Sequence, residues 1–138
     1  GDTVNLASRL EGLTKFYRSK ILISQSTYEF IDSESSFEFR ELDLVKVKGK
    51  DEPVTIFEVC NSDREPIREQ KLGSLGKFAE ALKDYRSQKW TAAMTKFKSC
   101  LKDCPEDGAA ELYLDRCKVF KKTPPPKDWK GEQVFTQK

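Results

Sequence analysis

The chain has no histidine, one methionine and two tryptophans in 138 residues. Without histidine, its four cysteines, Cys60, Cys100, Cys104 and Cys117, are the side chains to weigh for a structural metal site. Cys100 and Cys104 fall on one helical face and Cys117 can approach from a neighbouring helix. There is no Cys-x-x-Cys spacing, however, and reduced, partly buried small residues are the simpler reading. No apolar run approaches the roughly 20 residues needed to cross a bilayer, and no apolar leader follows a basic start, so a soluble, cytoplasmic piece without a membrane segment is expected. No long block of one charge sign is present either. The 25 basic and 23 acidic residues are interspersed and leave a net charge of +2, which gives no footprint for a nucleic-acid partner.

What the chain does contain is organised in two parts. With 37% hydrophobic residues it can build a core, either as one ordinary domain or as two small ones, and the pattern favours two. Val4, Ala7, Leu10 and Leu13 recur at three-residue steps and predict a short helix that Gly12 and the polar Thr14-Lys15 weaken at its end. Lys20 to Ser24 reads as a strand covered on both sides, followed by a brief helix from Thr27 to Ile31. Residues 37–42 and 45–48 alternate as half-exposed strands, Gly49 to Glu52 reads as a turn, and Pro53 opens a last strand over residues 54–59.

Residues 61–76 are charged, carry Pro66, Gly73 and Gly76, and lack a clear period, so a linker is placed there. Beyond it, Phe78, Ala81, Leu82 and Tyr85 mark one amphipathic helix. Trp90, Ala93, Met94, Phe97, Cys100 and Leu101 mark a second, and residues 109–120 supply a third. Helix, short turn, helix, then Pro105 looks like one degenerate tetratricopeptide repeat, which cannot bury its face alone and needs the third helix or another domain as cover. Pro124-Pro125-Pro126, then Asp128-Trp129, reads as a stiff extended tail with an aromatic anchor. The expected organisation is therefore residues 1–60 as an α+β unit, 61–76 as linker, 77–123 as a small all-α module and 124–138 as tail. For Trp90 and Trp129, packing between helices and tail is favoured over ligand stacking.

The opening run, Gly1-Asp2-Thr3-Val4-Asn5-Leu6-Ala7-Ser8-Arg9-Leu10-Glu11, puts Asn5 and Arg9 one helical turn apart. Such a pair taken alone is ordinarily a solvated face, yet an amide beside an always-charged planar fork also suits a phosphoryl group whose charge is growing. The whole run resembles the stretch with which class III nucleotide cyclases, the adenylate and guanylate cyclases, stabilise their transition state. Ile21-Leu22-Ile23-Ser24 and the pair Val45-Lys46-Val47-Lys48-Gly49-Lys50 and Val54-Thr55-Ile56-Phe57-Glu58-Val59 follow in the family's order. The resemblance thus covers nearly all of residues 1–60.

The resemblance implies the C-terminal half of a ferredoxin-like cyclase catalytic domain, with Asn5 orienting the ribose and Arg9 binding the α-phosphate oxygen as charge develops. A lysine of the closing strand pair would contact the triphosphate. Lys48 aligns best, with Lys46 and Lys50 as neighbours, while an exposed strand lysine that discourages edge pairing is the plainer account of Lys48. The helices and the Pro124 to Gly131 stretch resemble the C-terminal extension of many bacterial adenylate cyclases, some of which are membrane-anchored through an upstream region.

The implied function is part of an adenylate cyclase that converts ATP to cyclic AMP and pyrophosphate, with GTP as the alternative substrate, in a homodimer of catalytic domains. Mg2+ or Mn2+ would be bound by aspartates upstream of this segment. Asp2, Asp32 and Asp43 do not fall in the family's metal motif, so no metal ligand is assigned within the chain. The fragment is expected to be the C-terminal part of a longer protein and inactive alone. The competing reading is a degenerate cyclase remnant acting as a protein-binding or dimerisation module.

Overall fold

Leu10, Leu13 and Tyr17 are all buried, so the apolar stripe of the first helix continues past Thr14. In the computed structural model this helix, α1, spans Asp2–Tyr17. The structure describes the backbone of residues 2–47 and 52–135 and the side chains of residues 10–46 and 52–135. Gly12 costs a helix interior about 1 kcal/mol relative to Ala, less than burial of one large apolar side chain returns. The expected early end is therefore overridden by packing. The helix closes where Arg18 takes a left-handed φ of 51° and the Ser19 N–H donates back to the Thr14 carbonyl at 3.1 Å, the geometry of a Schellman cap.

β1 (Leu22–Ser24) is shorter than the apolar run that contains it, and Ile21 just before it is 48% exposed. Ser24 caps α2 (Gln25–Phe30) by accepting from the Thr27 N–H at 3.3 Å. β2 (Phe39–Val47) and β3 (Val54–Val59) pair antiparallel, with Arg40 opposite Glu58 and Val45 opposite Val54. The two strands expected over residues 37–48 are one. The register shifts between Glu41 and Asp43, and this bulge absorbs Leu42 without ending the ladder. β4 (Gln133–Phe135), inside the expected tail, pairs parallel with the end of β2, giving the sheet order β1-β3-β2-β4.

Successive strand residues point to opposite faces. Arg40, Asp43, Ile56 and Glu58 lie on the face that the end of α1 reaches, while Phe39 and Phe57 lie on the other, where Tyr28 of α2 stacks on Phe57 at 4.1 Å and meets Phe39 edge-on at 5.2 Å. One helix thus packs on each face of the sheet, α2 mainly against β1 and β3.

The stretch read as a linker carries a 3-10 turn (Cys60–Ser62) and α3 (Ile67–Gly73), in which Lys71 is buried. Its seven residues, about two helical turns, are too few to register as a period. α4 (Leu75–Arg86), α5 (Trp90–Asp103) and α6 (Gly108–Lys122) follow. Phe78, Phe97 and Tyr113, one from each, form a ring cluster with Phe97 stacked on Tyr113 at 5.0 Å. Asp107 caps α6 through the Ala110 N–H. The third helix therefore supplies the cover that a lone helix pair lacks, through Ala109, Ala110, Tyr113, Leu114 and Cys117.

The chain divides into two compact units. Gly1–Asp63 and Glu132–Lys138 form the mixed α+β unit, and Arg64–Gly131 form the all-α unit.

Candidate active site

The residues expected to act on phosphate are placed by α1 and by the end of β2. Asn5 and Arg9 both lie on α1, four residues and so about one turn apart. Lys46 is the penultimate residue of β2 and half-buried; Lys48 and Lys50 lie outside the described residues.

What positions α1 is a set of buried polar contacts at its C-terminal end. The Tyr17 hydroxyl donates to Asp43 Oδ2 at 2.6 Å, and Asp43 Oδ1 accepts from the Leu44 N–H at 2.8 Å. The Ser19 hydroxyl donates to Glu58 Oε2, whose other oxygen stands 2.8 Å from Arg40 Nη2. Asp43 and Glu58 are fully buried and Arg40 nearly so. Buried polar groups are tolerated when they are hydrogen-bonded, and both carboxyl groups are, with Glu58 also paired to Arg40. α1 is therefore pinned to β2 through Asp43 and to β3 through Glu58. The C-terminal end of α1, the helix that also carries Asn5 and Arg9, cannot turn about its axis without breaking these bonds.

The sequence pattern did not announce this network, because Asp43, Arg40 and Glu58 look like the polar half of alternating strands. The signal available was three ionisable residues on strand positions whose neighbours, Leu42, Val45 and Ile56, are core residues.

Metal chemistry does not fit the described side chains. Among the described residues no cluster of three or more potential ligands occurs, and Asp43, fully buried beside α1, accepts from the Tyr17 hydroxyl and the Leu44 N–H. All four cysteines are buried free thiols, and burial pushes the Cys117 thiol up to about 12. That thiol is neither a nucleophile nor a ready ligand near neutral pH.

Residues 1–59 match the adenylate and guanylate cyclase catalytic domain. This match stops with β3 and leaves the helical unit unclaimed. Over 118 residues, 85% of the chain, the sequence is 40% identical to the terminal-differentiation specific adenylate cyclase of Dictyostelium discoideum, covering 6% of that protein. The adenylate cyclase of Anabaena cylindrica is 53% identical over 60 residues, 43% of this chain and 12% of the relative. Adenylate cyclase 1 of Rhizobium meliloti is 41% identical over 59 residues, 43% of this chain and 9% of the relative. No solved structure matches. The chain spans 6% to 12% of the length of these curated relatives. The Dictyostelium similarity is too long to end at β3, so it reaches into the helices of the second unit.

No helix among the described residues is long and apolar enough to cross a membrane.

Proposed function

We propose that this chain is the C-terminal part of the catalytic region of an adenylate cyclase, which closes the ribose 3′-oxygen of ATP onto its own α-phosphorus. In that reaction the O3′–Pα bond forms, the bond from Pα to the bridging oxygen breaks, pyrophosphate leaves and the 3′-hydroxyl gives up its proton. Phosphoryl transfer is helped mainly by positioning and by donors aimed at developing charge. Arg9 supplies a charged fork to the α-phosphoryl oxygens, Asn5 orients the ribose, and Lys48 holds the triphosphate. The observation that carries this reading is the family match over residues 1–59, within which α1 bears both Asn5 and Arg9.

Metal ions stabilise the leaving pyrophosphate in such reactions. By resemblance to the family, the ligands for Mg2+ or Mn2+ are assigned to sequence outside this chain, and the isolated chain is expected to be inactive. ATP is preferred over GTP because all three relatives are named adenylate cyclases. The active form is a homodimer of catalytic domains, with the rest of each site supplied across the interface. The helical unit is a tetratricopeptide-like extension, supported by Ala93 and Phe97 on α5, Pro105 after it, and α6 as cover. The domain assignment follows: a catalytic part to about residue 60 and a helical module beyond it. The test is formation of cyclic AMP and cyclic GMP by the full-length protein with either metal. Soundly folded protein that makes neither product removes the enzyme reading.

A further inference from the structure

The α+β unit leaves aromatic side chains in water around α2. Phe30, the last residue of that helix, is 91% exposed, and Phe37, two residues before β2, is 55% exposed. An open cleft of about 450 Å³ adjoins them, lined by Tyr28, Phe37 and Phe39 together with Glu29 and Asp32. Its aromatic wall is held in place: Tyr28 stacks on Phe57 with ring planes 7° apart and meets Phe39 edge-on, and Phe37 lies 6.4 Å from Phe39. Single exposed apolar residues are ordinary, whereas exposed aromatics gathered around a concavity mark an interaction site.

The charge around the cleft has one sign. Residues 25–38 hold four carboxylates, on Glu29, Asp32, Glu34 and Glu38, and no lysine or arginine. Asp32 is fixed by its own loop, with Oδ1 accepting from the Glu34 N–H at 2.9 Å and its carbonyl accepting from the Ser35 N–H at 2.9 Å. Ring faces attract cations through their quadrupole and carboxylates attract them through charge. The lining is therefore complementary to a cationic side chain whose aliphatic stem covers the rings. A free cation in so open a cleft stays hydrated and gains little, as exposed ion pairs do. A cation delivered by a larger partner is different, because the partner's apolar neighbours cover Phe30 and Phe37 and exclude water around the pair.

We propose that this cleft docks a basic peptide segment of a partner protein, in which arginine alternates with apolar residues. The guanidinium sits between the rings of Tyr28 and Phe37 and the carboxylates of Glu29 and Asp32, and the flanking apolar side chains lie on Phe30 and Phe37. Arginine suits the place better than lysine because its planar, weakly hydrated group stacks on rings while it pairs with carboxylates. The site goes beyond the cyclase reading and does not depend on it, since Asn5, Arg9 and Lys48 are not among the residues that line the cleft.

The experiment titrates the full-length protein into a fluorescein-labelled peptide, Gly-Leu-Arg-Leu-Arg-Leu-Gly blocked at both ends, and into the same peptide with citrulline in place of arginine. Free arginine amide is the third probe. Polarisation should report saturable binding of the arginine peptide that weakens with added salt, and about tenfold weaker binding of the citrulline peptide. Glu29→Lys with Asp32→Lys should weaken it by about tenfold or more and Phe37→Ser by about fivefold. Glu11→Lys with Glu106→Lys, the same charge change at exposed positions elsewhere, should alter it by less than about twofold. All these side chains are exposed, so the fold is expected to survive each change. Amide exchange should slow at residues 28–39 when the peptide is bound. No saturable binding, equal binding of the citrulline peptide, equal effects of the two charge-reversed pairs, or protection confined to other residues overturns the proposal. Arginine amide that binds as tightly as the peptide overturns the partner in favour of a free organic cation.

Discussion

Arg40 and Glu58 stand directly opposite each other on β2 and β3, with Nη2 2.8 Å from Oε1 and side chains 2% and 1% exposed. Ser19, just beyond α1, donates to the second Glu58 oxygen, so a cross-strand ion pair also anchors the helix. A buried pair of this kind is costly to break from one side, because the remaining charge stays desolvated. Glu58→Ala should destabilise the α+β unit by about 3 to 5 kcal/mol, whereas Arg40→Met combined with Glu58→Leu should fall near wild type. Urea unfolding of the full chain checks both, and equal losses in the single and double variants would contradict the account.

Tyr17 provides a milder version of the same test. Tyr17→Phe keeps the ring in its buried site and removes only the donor to Asp43. Leaving a buried carboxylate without that bond should cost about 1 to 3 kcal/mol. Asp43→Asn in the Tyr17→Phe background should recover part of the loss, as thermal unfolding would report; additivity of the two changes would argue against a direct bond.

Much of this architecture is readable from residues alone, and what is not has identifiable causes. The α1 stripe, the closing strand pair and the three later helices follow from apolar periodicity. The length of α1 does not, because Tyr17 extends the stripe only through tertiary burial. The single β2 strand hides behind its bulge at Leu42, which breaks the alternation that would join residues 39–47. α3 was concealed by its shortness, and β4 by its neighbours, since a three-residue strand after prolines has no period of its own. For the site, the spacing of Asn5 and Arg9 was legible, whereas the Tyr17–Asp43 and Ser19–Glu58 contacts that hold α1 join residues 26 and 39 positions apart.

In the helical unit, Trp129 packs its ring at 5.3 Å from Tyr85, 5.2 Å from Phe120 and 5.9 Å from Trp90, while Gln88 donates to the Pro126 carbonyl at 2.9 Å. Each well-placed aromatic pair adds about 0.5 to 1.5 kcal/mol beyond its buried area. Trp129→Ala should therefore cost about 2 to 3 kcal/mol and Trp129→Phe about half of that. Emission from Trp90, whose ring would lose a neighbour, follows the unfolding. A loss below about 0.5 kcal/mol for Trp129→Ala would mean the tail is not held by this cluster.

Cys117 sets a pH dependence. Burial raises its thiol from the ordinary 9.0 to about 12, with Arg116 opposing weakly. The folded chain keeps the proton where the unfolded chain releases it, so this contribution is fully present below about pH 9 and is lost as pH rises through the window from 9 to 12. The stability difference between wild type and Cys117→Ala should accordingly shrink from pH 8 to pH 10.5. A difference that grows over that range would contradict the assignment. The native thiol should also resist aromatic disulfide reagents at pH 8 until the protein is unfolded.

We propose that Arg9, on α1, meets a phosphoryl group as its charge develops. Steady-state formation of cyclic AMP by the full-length protein, wild type against Arg9→Ala, tests it most directly, with far-ultraviolet circular dichroism confirming the fold. Loss of one such preorganised donor should lower kcat by about 100-fold to 1000-fold. Turnover by Arg9→Ala within a few-fold of wild type would contradict the account.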